Sequence, residues 1–335
     1  MSESGAMNPI TMDDLMAAVE VVGRRMAPTP QYAWPLLARE VGATEVWVKH
    51  ENHTPTGAFK VRGGLVYIDR LVRERPEVRG VMSATRGNHG QSIALAGVAA
   101  GLDVTIVVPH GNSPDKNEAM RAWGAELVEF GHDFQAAREH AETLAVERGF
   151  EMVPSFHDDL VCGVATYALE LFQGVIAAGS SLDAVYVPVG LGSGICGLIA
   201  ARDLLGLDTE IVGVVSERAN ATALSFAAGC AVSTGSADTF VDGVACRVPV
   251  PEAIDRIVAG AARIVEVSED EAADAIRVLL RTTHNLAEPA GAIATAGLLK
   301  ERRRHAGHRV ATVLCGGNLD AHLLVEIIAG RTPQI

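Results

Sequence analysis

The sequence of 335 residues lacks the marks of several protein classes. Positive charge is scarce, since 28 Lys and Arg residues face 41 Asp and Glu residues and the formal net charge is -13. A nucleic-acid surface needs a basic footprint, so this balance argues against a nucleic-acid partner. No apolar run approaches the roughly 20 residues that span a bilayer, and no basic-then-apolar leader opens the chain. These absences predict a soluble, cytoplasmic protein with no nucleic-acid and no membrane partner.

Cysteines are few and form neither a CxxC pair nor a spacing that is typical of metal sites. This usage predicts reduced, mostly buried thiols of a cytoplasmic protein. The five are Cys162, Cys196, Cys230, Cys246 and Cys315. Aromatic residues make up only 4% of the chain, against 48% hydrophobic residues, which describes a globular protein rich in small apolar side chains. Its length suggests one large or two medium domains.

Strand and helix patterns alternate along most of the chain. The strand candidates include 103–109, whose almost continuous apolar residues are expected of a strand that is covered on both faces. They lie at 80–84, 103–109, 125–130 and 151–154 and again at 183–189, 210–216, 264–267 and 308–314. The pattern predicts an α/β protein with two parallel-sheet domains, a large one (11–79 and 155–330) and a small inserted one (80–154). Ligands of such sheets usually lie beyond the carboxyl ends of the strands.

One lysine lies at the centre of the stretch 51–64. Lys60 stands between Phe59 and Val61, after a Pro-Thr-Gly turn and at the start of an apolar helical pattern. Partial burial would lower its pKa and leave a nucleophilic amine that can form a Schiff base. The ordinary alternative is a lysine at a helix start whose amine reaches solvent.

The spelling Glu-Asn followed by Thr-Gly-Ala-Phe-Lys-x-Arg-Gly resembles the lysine motif of fold-type II pyridoxal-phosphate enzymes, the tryptophan synthase β-like superfamily. Within it, the motif is most similar to the serine/threonine dehydratase and serine racemase branch. The resemblance implies pyridoxal 5'-phosphate in a cleft between the two domains, with Lys60 as its Schiff-base residue and Phe59 beside it. It also implies a small amino-acid substrate and a homodimer or higher homo-oligomer.

A second motif, residues 83–91, lies between a strand and a helix. Its glycines permit a tight turn, and the helix amino end favours a carboxylate, although a simple capped turn is the alternative. The string Gly-Asn-His-Gly-Gln resembles the substrate-carboxylate loop of the superfamily, in which Asn88 also contacts the phenolic oxygen of the cofactor. The substrate-binding residues that the resemblance implies are Ser83, Thr85, Arg86, Gly87, Asn88 and His89.

A third motif, residues 187–197, follows a strand and opens a helix. Its glycines would let the backbone wrap a phosphate. Gly192, Gly194 and Gly197 also spell GxGxxG, and Glu217 follows at the distance of a ribose-binding acid, so a dinucleotide site is a rival interpretation. That rival leaves the Lys60 and Asn88 motifs unexplained. The segment resembles the phosphate-binding loop of the superfamily, which implies cofactor contacts at Gly190, Leu191, Gly192, Ser193 and Gly194.

The last strand candidate ends in Cys-Gly-Gly-Asn, and the resemblance places Cys315 opposite the pyridine nitrogen of the cofactor. A neutral partner there would not hold the ring nitrogen protonated, which moderates the electron sink. A buried structural thiol is the alternative. The segment 285–291 likewise resembles a family segment beside the ring, with Glu288 as its acidic member.

Two departures from the family pattern bear on function. Arg86 stands where serine racemases have a serine, so racemisation by the two-base route is not expected. Ala223 stands where a metal-binding loop would need a carboxylate, so no metal is predicted.

The function that these motifs imply is a lyase reaction, the β-elimination of a β-hydroxy amino acid to a 2-oxo acid and ammonia, as in threonine/serine dehydratases. A dehydratase specialised for 3-hydroxyaspartate is an alternative, with Arg86 binding the acidic side chain. Further alternatives are a phenylserine dehydratase, an amino-acid racemase and a dinucleotide-binding protein.

Overall fold

The computed structural model describes residues 10–334, and in them two sheets are flanked by helices. The strands are β1 (Gln31–Ala33), β2 (Glu45–His50), β3 (Gly80–Ala84), β4 (Asp103–Val108), β5 (Glu126–Glu129), β6 (Glu151–Met152), β7 (Ala184–Pro188), β8 (Glu210–Ser216), β9 (Arg263–Val267) and β10 (Arg309–Leu314). The helices are α1 (Met12–Gly23), α2 (Pro35–Val41), α3 (Lys60–Glu74), α4 (Asn88–Ala99), α5 (Pro114–Ala122), α6 (Phe134–Arg148), α7 (Asp158–Ala177), α8 (Ser193–Leu204), α9 (Ala221–Ala228), α10 (Pro251–Gly260), α11 (Glu269–Thr283), α12 (Pro289–Lys300) and α13 (Ala321–Ile328).

The larger sheet has six strands in the order β1-β2-β10-β7-β8-β9, and the smaller has four in the order β5-β4-β3-β6. Within the described residues, every neighbouring pair is parallel except β1 with β2. All residues of β3 and β7 are buried, as expected of parallel strands with both faces covered. The predicted α/β class with two parallel sheets is therefore confirmed.

Three elements were not predicted from the sequence patterns: β1, α2 and α10. Only three residues long, β1 is too short to show an alternating pattern. The two helices carry local signals that were available, because each has a proline in its first turn. Gly42 ends α2 in the left-handed conformation at φ 77°, which is a common helix stop.

Each sheet has its own apolar core, and α3 joins the two regions of the molecule. Val61, Leu65 and Ile68 of α3 pack into the core of the smaller sheet, with residues of β3, β4 and α4. The first residue of α3 is nevertheless reached by a loop that leaves β2 of the larger sheet. The strands of the smaller sheet all lie within 80–154, while the domain limits themselves remain a prediction.

Glycines allow α3 to approach its neighbours closely. A Cβ at Gly64 would lie 2.2 Å from Oγ of Ser92 on α4, and a Cβ at Gly163 of α7 would lie 2.3 Å from the Arg62 carbonyl oxygen. A Cβ at Gly63 would lie 2.8 Å from a carbonyl oxygen of α7. The backbones of three helices are thus in contact where α3 begins, which fixes its first turn on two sides.

By length and composition, α7 could cross a membrane, so the expectation that no run approaches this length was wrong. The helix has 20 residues, and 72% of its most apolar window is buried in the molecule. It packs against α1, α3 and α8. Core helices pass the same test of length and composition, and this burial is typical of them.

Candidate active site

Lys60 is the first residue of α3, and the loop before it is held from both ends. The Phe59 amide donates to the carbonyl of Cys315 at 2.9 Å, which ties the loop to the end of β10. Thr54 accepts from the Ala58 amide at 2.9 Å, which closes the preceding turn. The Lys60 amine lies 4.9 Å from the centroid of the Phe59 ring and 3.1 Å from Oγ of Ser193. The local chain therefore places this amine between the carboxyl ends of β10 and β7.

Lys60 differs from the other lysines in having no carboxylate partner among residues 10–334. The chain contains only four lysines, all of them in described residues. Lys49 pairs with a carboxylate at 2.6 Å, Lys116 at 2.5 Å and Lys300 at 2.9 Å. Burial lowers the pKa of Lys60 to about 8. About a tenth of this amine is therefore unprotonated and nucleophilic at pH 7, far more than for a lysine with the ordinary pKa.

The loop between β7 and α8 forms a cradle in which two positions require glycine. A Cβ at Gly190 would lie 2.6 Å from the carbonyl oxygen of Gly243, and Gly192 has the left-handed φ of 105°. Leu191, between them, is partly buried. Tyr167 donates to the Gly194 carbonyl at 3.1 Å, which holds the first turn of α8. The free amides of this helix start make an anion site that lies next to the Lys60 amine.

The loop between β3 and α4 offers a second helix start. Thr85 accepts from the Gly87 amide at 3.1 Å, which shapes the turn before Asn88. Ser83 is buried within β3 and donates to the Val153 carbonyl at 3.4 Å. Arg86 is exposed and, in the part of the chain that the structure describes, has no hydrogen bond or ion pair. A substrate role for Ser83 and Arg86 therefore stays a prediction without a contact to support it.

His89 presents an unsatisfied polar atom to the site. Its Nε2 is buried without a hydrogen-bond partner among the described residues. Burial, together with the nearby Lys60 amine, lowers the pKa of His89 to about 3, so the ring is neutral at ordinary pH. The ring lines a cavity of about 10 Å³ with Lys60, Ser155 and Ser193. That is room for roughly one water molecule, so a larger ligand requires the loops to part.

The side-chain amide of Asn88 is oriented by two partners. Its Nδ2 donates to Glu288 at 2.6 Å, and its Oδ1 accepts from Asn318 at 2.8 Å. Glu288 is almost fully buried, and burial raises its pKa. Its second oxygen, Oε2, is buried and accepts no hydrogen bond from the described residues. Asn318 was missed as a site residue, although its place after two glycines at a strand end was visible in the sequence.

Cys315 follows β10 and remains a neutral thiol. Its Sγ donates to the carbonyl of Ala290 at 3.4 Å, and the side chain is buried. Burial raises its pKa well above the ordinary value, and the Glu288 carboxyl adds to this effect. The residue can therefore contact a ring nitrogen only as a weak neutral partner.

Behind the first turn of α3 lies a buried cluster of four charged side chains, which we call the ion cluster. Arg62 donates to Glu51 at 2.7 Å and to Glu170 at 2.7 Å, and Lys49 donates to Glu170 at 2.6 Å. The side chains of Lys49, Glu51 and Arg62 are fully buried. Two cations and two carboxylates leave the ion cluster without net charge. The sequence motif contained Glu51 and Arg62, yet sequence reasoning gave them no role.

Metal ligands do not gather anywhere in residues 10–334. No group of three or more His, Cys, Asp or Glu side chains is placed to hold a metal ion there. Ala223 lies in α9 and is partly buried. The prediction of a site without metal stays a prediction.

The residues at this site fit pyridoxal phosphate. The amine of Lys60 suits an aldehyde, the glycine cradle at the start of α8 suits a phosphate, and the thiol of Cys315 is neutral. Two buried atoms, His89 Nε2 and Glu288 Oε2, have no hydrogen-bond partner among the described residues, and a bound ligand could supply one. Which of these residues touch the cofactor remains a prediction.

Comparison with known proteins bears on this fit. Residues 23–316 match the family model described as pyridoxal-phosphate dependent enzyme. An L-threonine ammonia-lyase of Thermotoga maritima is 31% identical over 320 residues, which cover 95% of this chain and 78% of that protein. An L-threo-3-hydroxyaspartate ammonia-lyase of Saccharomyces cerevisiae is 29% identical, with 96% and 97% covered. The structure of threonine deaminase isoform 2 from Solanum lycopersicum matches with a TM-score of 0.85 at 27% identity, covering 96% and 95%. The chain therefore belongs to the pyridoxal-phosphate dependent enzyme family, as the Lys60 motif predicted.

Proposed function

We propose that this protein is an ammonia-lyase that uses pyridoxal phosphate to convert a small β-hydroxy amino acid into a 2-oxo acid and ammonia. The observation that carries the proposal is the Lys60 amine, with its lowered pKa, between two helix starts that can each hold an anion. Relatives named as threonine and 3-hydroxyaspartate ammonia-lyases support the reaction type. The dinucleotide alternative has no support from the family that the chain matches.

The reaction divides its tasks among the residues of the site. Bound pyridoxal phosphate supplies an electron sink that makes the α-proton of the amino acid acidic. Lys60, in its neutral form, accepts that proton as general base. The bond from Cβ to the hydroxyl oxygen breaks, and the hydroxyl leaves as water after taking up a proton. The dehydrated product then adds water and loses ammonia, which leaves the 2-oxo acid.

The two helix starts set the orientation of the reactants. The amides at the start of α8 would hold the phosphate, and those of Asn88 and His89 at the start of α4 would hold the substrate carboxylate. Asn88 cannot turn freely, because both ends of its amide are engaged by Glu288 and Asn318. The substrate is thereby held in one direction relative to Lys60.

Threonine or serine is the substrate class that we propose. Beside the α4 loop lie the buried side chains of Lys116 and Glu288 and the partly exposed side chain of Asp242, and the amine of Lys116 is already engaged by the two carboxyls. An acidic substrate side chain would find no free buried cation there, and Arg86 is exposed. The resemblance to the yeast 3-hydroxyaspartate ammonia-lyase keeps that substrate as the second candidate.

A panel of substrates tests the reaction. L-Threonine, L-serine, threo-3-hydroxyaspartate and phenylserine are each incubated with the holoenzyme, with and without EDTA, and 2-oxo acid and ammonia are measured. We expect equal amounts of both products from threonine or serine, and no effect of EDTA. Chiral analysis of the remaining substrate reports any racemisation. Absence of 2-oxo acid from all four substrates, or racemisation alone, would overturn the proposal.

Borohydride reduction tests the role of Lys60. We expect the yellow holoenzyme to lose its absorbance and to carry a pyridoxyl group on Lys60 in peptide mass analysis. Lys300 is the control for non-specific labelling. Its side chain is partly exposed, but it pairs with Glu271, so we expect no pyridoxyl group on it. A pyridoxyl group on any lysine other than Lys60 would refute the assignment.

We further propose that the protein forms a homodimer or a larger homo-oligomer through the face of α2, α11 and α13. These helices are packed together and expose Leu36, Leu280, Val325 and Ile328, with Ile328 55% and Val325 58% exposed. Contiguous exposed apolar side chains are typical of interaction surfaces. Sedimentation analysis should show an oligomer that Val325→Glu weakens. A monomeric wild type at micromolar concentration would contradict the proposal.

We place the protein in the cytoplasm as a proposal. It is supported by the five unpaired cysteines, four of which are buried. Fractionation of the source cells with detection of this chain is the test.

A further inference from the structure

Polar contacts between the two halves of the molecule are concentrated beside the candidate active site. They join side chains on or next to α4 and α5 to side chains of loops around the larger sheet. We call this set of contacts the seam. Its hydrogen bonds and ion pairs are Lys116 with Asp242 (2.5 Å), Lys116 with Glu288 (3.7 Å), Asn88 with Glu288 (2.6 Å), Asn318 with Asn88 (2.8 Å) and Ser113 with Asp320 (2.6 Å).

Lys116 is the one lysine of the seam, and its stem runs beneath the α4 loop. The residue is 7% exposed, and its Cδ would lie 2.7 Å from a Cβ at Gly87. Because Gly87 has no side chain, there is room for the Lys116 stem to pass beneath it and reach the carboxyls on the other side of the seam. Burial alone would lower the pKa of Lys116, but Asp242 and Glu288 outweigh burial and raise it, so the amine stays charged.

Lys116 acts on the α4 loop in two ways. Its stem supports Gly87 from below, and its charge offsets the carboxyls of Asp242 and Glu288. Glu288 in turn receives the hydrogen bond that orients Asn88. Without the amine, the buried carboxyl of Glu288 and the partly exposed carboxyl of Asp242 would face each other with no counter-charge. The loop would then lose both its support and the fixed partner of Asn88.

We infer that Lys116 is a positioning residue that holds the α4 loop in the conformation that binds the substrate carboxylate. Lys116 reaches Asp242 and Glu288 across the seam. It can therefore hold the α4 loop in place only when the loops on the two sides of the seam are in contact. The inference rests on the proposed function in taking the loop 85–89 as the carboxylate site. Lys116 touches neither the Lys60 amine nor the cradle of α8, so its effect falls on substrate binding more than on the proton transfer.

The test compares three variants on and beside the seam. Lys116→Met removes the amine at similar length, Lys116→Arg restores a cation, and Asp320→Ala removes the seam contact to Ser113 while the Ser113 hydroxyl still accepts from the Lys116 amide at the start of α5. The holoenzyme is titrated with L-alanine, which binds through its carboxylate but has no β-hydroxyl to lose, and the cofactor spectrum reports binding. KM and kcat for L-threonine are measured in parallel. Hydrogen exchange of the peptide 85–99 is followed in the cofactor-free protein.

We expect Lys116→Met to weaken L-alanine binding and raise KM by about ten- to a hundredfold, the range of a lost charge-assisted contact. By the same argument, kcat should change by less than about threefold, because the loss concerns ground-state and transition-state binding alike. Exchange in the peptide 85–99 should become faster. Lys116→Arg should recover most of the binding, while Asp320→Ala should stay close to the wild type.

Three results would overturn the inference. They are unchanged binding and exchange in Lys116→Met, a loss in kcat alone, and an equal loss in Asp320→Ala, which would assign the effect to closure in general. If Lys116→Met does not fold, Asp242→Asn replaces it and should shift KM in the same direction. A wild type that binds L-alanine but dehydrates no β-hydroxy amino acid would refute the proposed function alone, while binding and exchange still decide the role of Lys116.

Discussion

At the scale of single residues, the chemistry depends on one amine whose charge state burial controls. Four lysines are present, and three of them pair with carboxylates. Lys60 has only burial acting strongly on it, and its pKa falls to about 8. The sequence motif indicated which lysine to choose. It could not show the absence of a carboxylate nearby, because that depends on packing between distant segments.

The lowered pKa predicts how the rate of cofactor uptake depends on pH. The neutral amine is the form that attacks the aldehyde, so the rate constant should rise with pH up to about 8 and then level off. A lysine with the ordinary pKa of 10.5 would give a rate that still rises above pH 9. Stopped-flow mixing of cofactor-free protein with pyridoxal phosphate measures it. Nα-Acetyl-lysine in the same buffers is the control for titration of the aldehyde itself, and matching profiles would contradict the prediction.

Arg86 carries a different prediction because the structure places it in solvent. Arg86→Ala should change kcat/KM for L-threonine and for threo-3-hydroxyaspartate by similar small factors, below about threefold, as surface substitutions generally do. Arg138→Ala, another exposed arginine, is the control for a general charge effect. A loss of tenfold or more on the acidic substrate alone would show that Arg86 points inward when substrate binds.

At the scale of elements, α3 is the helix that the site depends on. Sequence patterns gave its start and its apolar spacing, and the strands that carry the loops were visible as apolar runs. The sequence patterns did not predict the ion cluster, because its partners Arg62 and Glu170 are 108 residues apart in the chain. A charged residue in a sequence carries no mark of a distant partner. The same holds for Lys116 and Asp242, which are 126 residues apart.

The ion cluster predicts a large stability difference between two arginines of the same helix. Arg62→Met leaves Glu51 and Glu170 buried with too few cations, which should lower the free energy of unfolding by about 3 to 5 kcal/mol. Arg73→Met is the control, because Arg73 pairs with Asp69 while 65% exposed, and should cost less than about 1 kcal/mol. Urea unfolding of the cofactor-free proteins measures both. Equal midpoints for the two variants would mean that the ion cluster adds nothing to stability.

At the scale of the whole molecule, the site is assembled from loops of both sheets. The Lys60 loop, the α8 cradle and Cys315 follow strands of the larger sheet, while Asn88 and His89 follow β3 of the smaller one. The alternation of strands and helices predicted the two sheets. The face-to-face placement of their loops required the structure, because the contacts across the seam are side-chain contacts between remote segments.

Cofactor bound between these loops should stabilise the whole chain. At a free concentration of one hundred times Kd, a ligand that binds only the folded state adds about 2.7 kcal/mol to the free energy of unfolding. Removal of pyridoxal phosphate with hydroxylamine should therefore lower Tm by several degrees, and readdition should restore it. Lys60→Ala, which can hold the cofactor only without a covalent bond, should show a smaller shift. Identical melting curves with and without cofactor would contradict the placement.

The glycine contacts at the start of α3 have a consequence for directed evolution. Side chains at 63, 64 and 163 would collide with atoms of neighbouring helices, most of them backbone, so libraries that vary these positions would consist mainly of unfolded clones. Arg86 lies in the α4 loop, is exposed and has no hydrogen bond or ion pair in the described chain, so substitutions there should disturb the packing little. A search for altered substrate range is therefore best begun at Arg86, with the glycines at 63, 64 and 163 left unchanged.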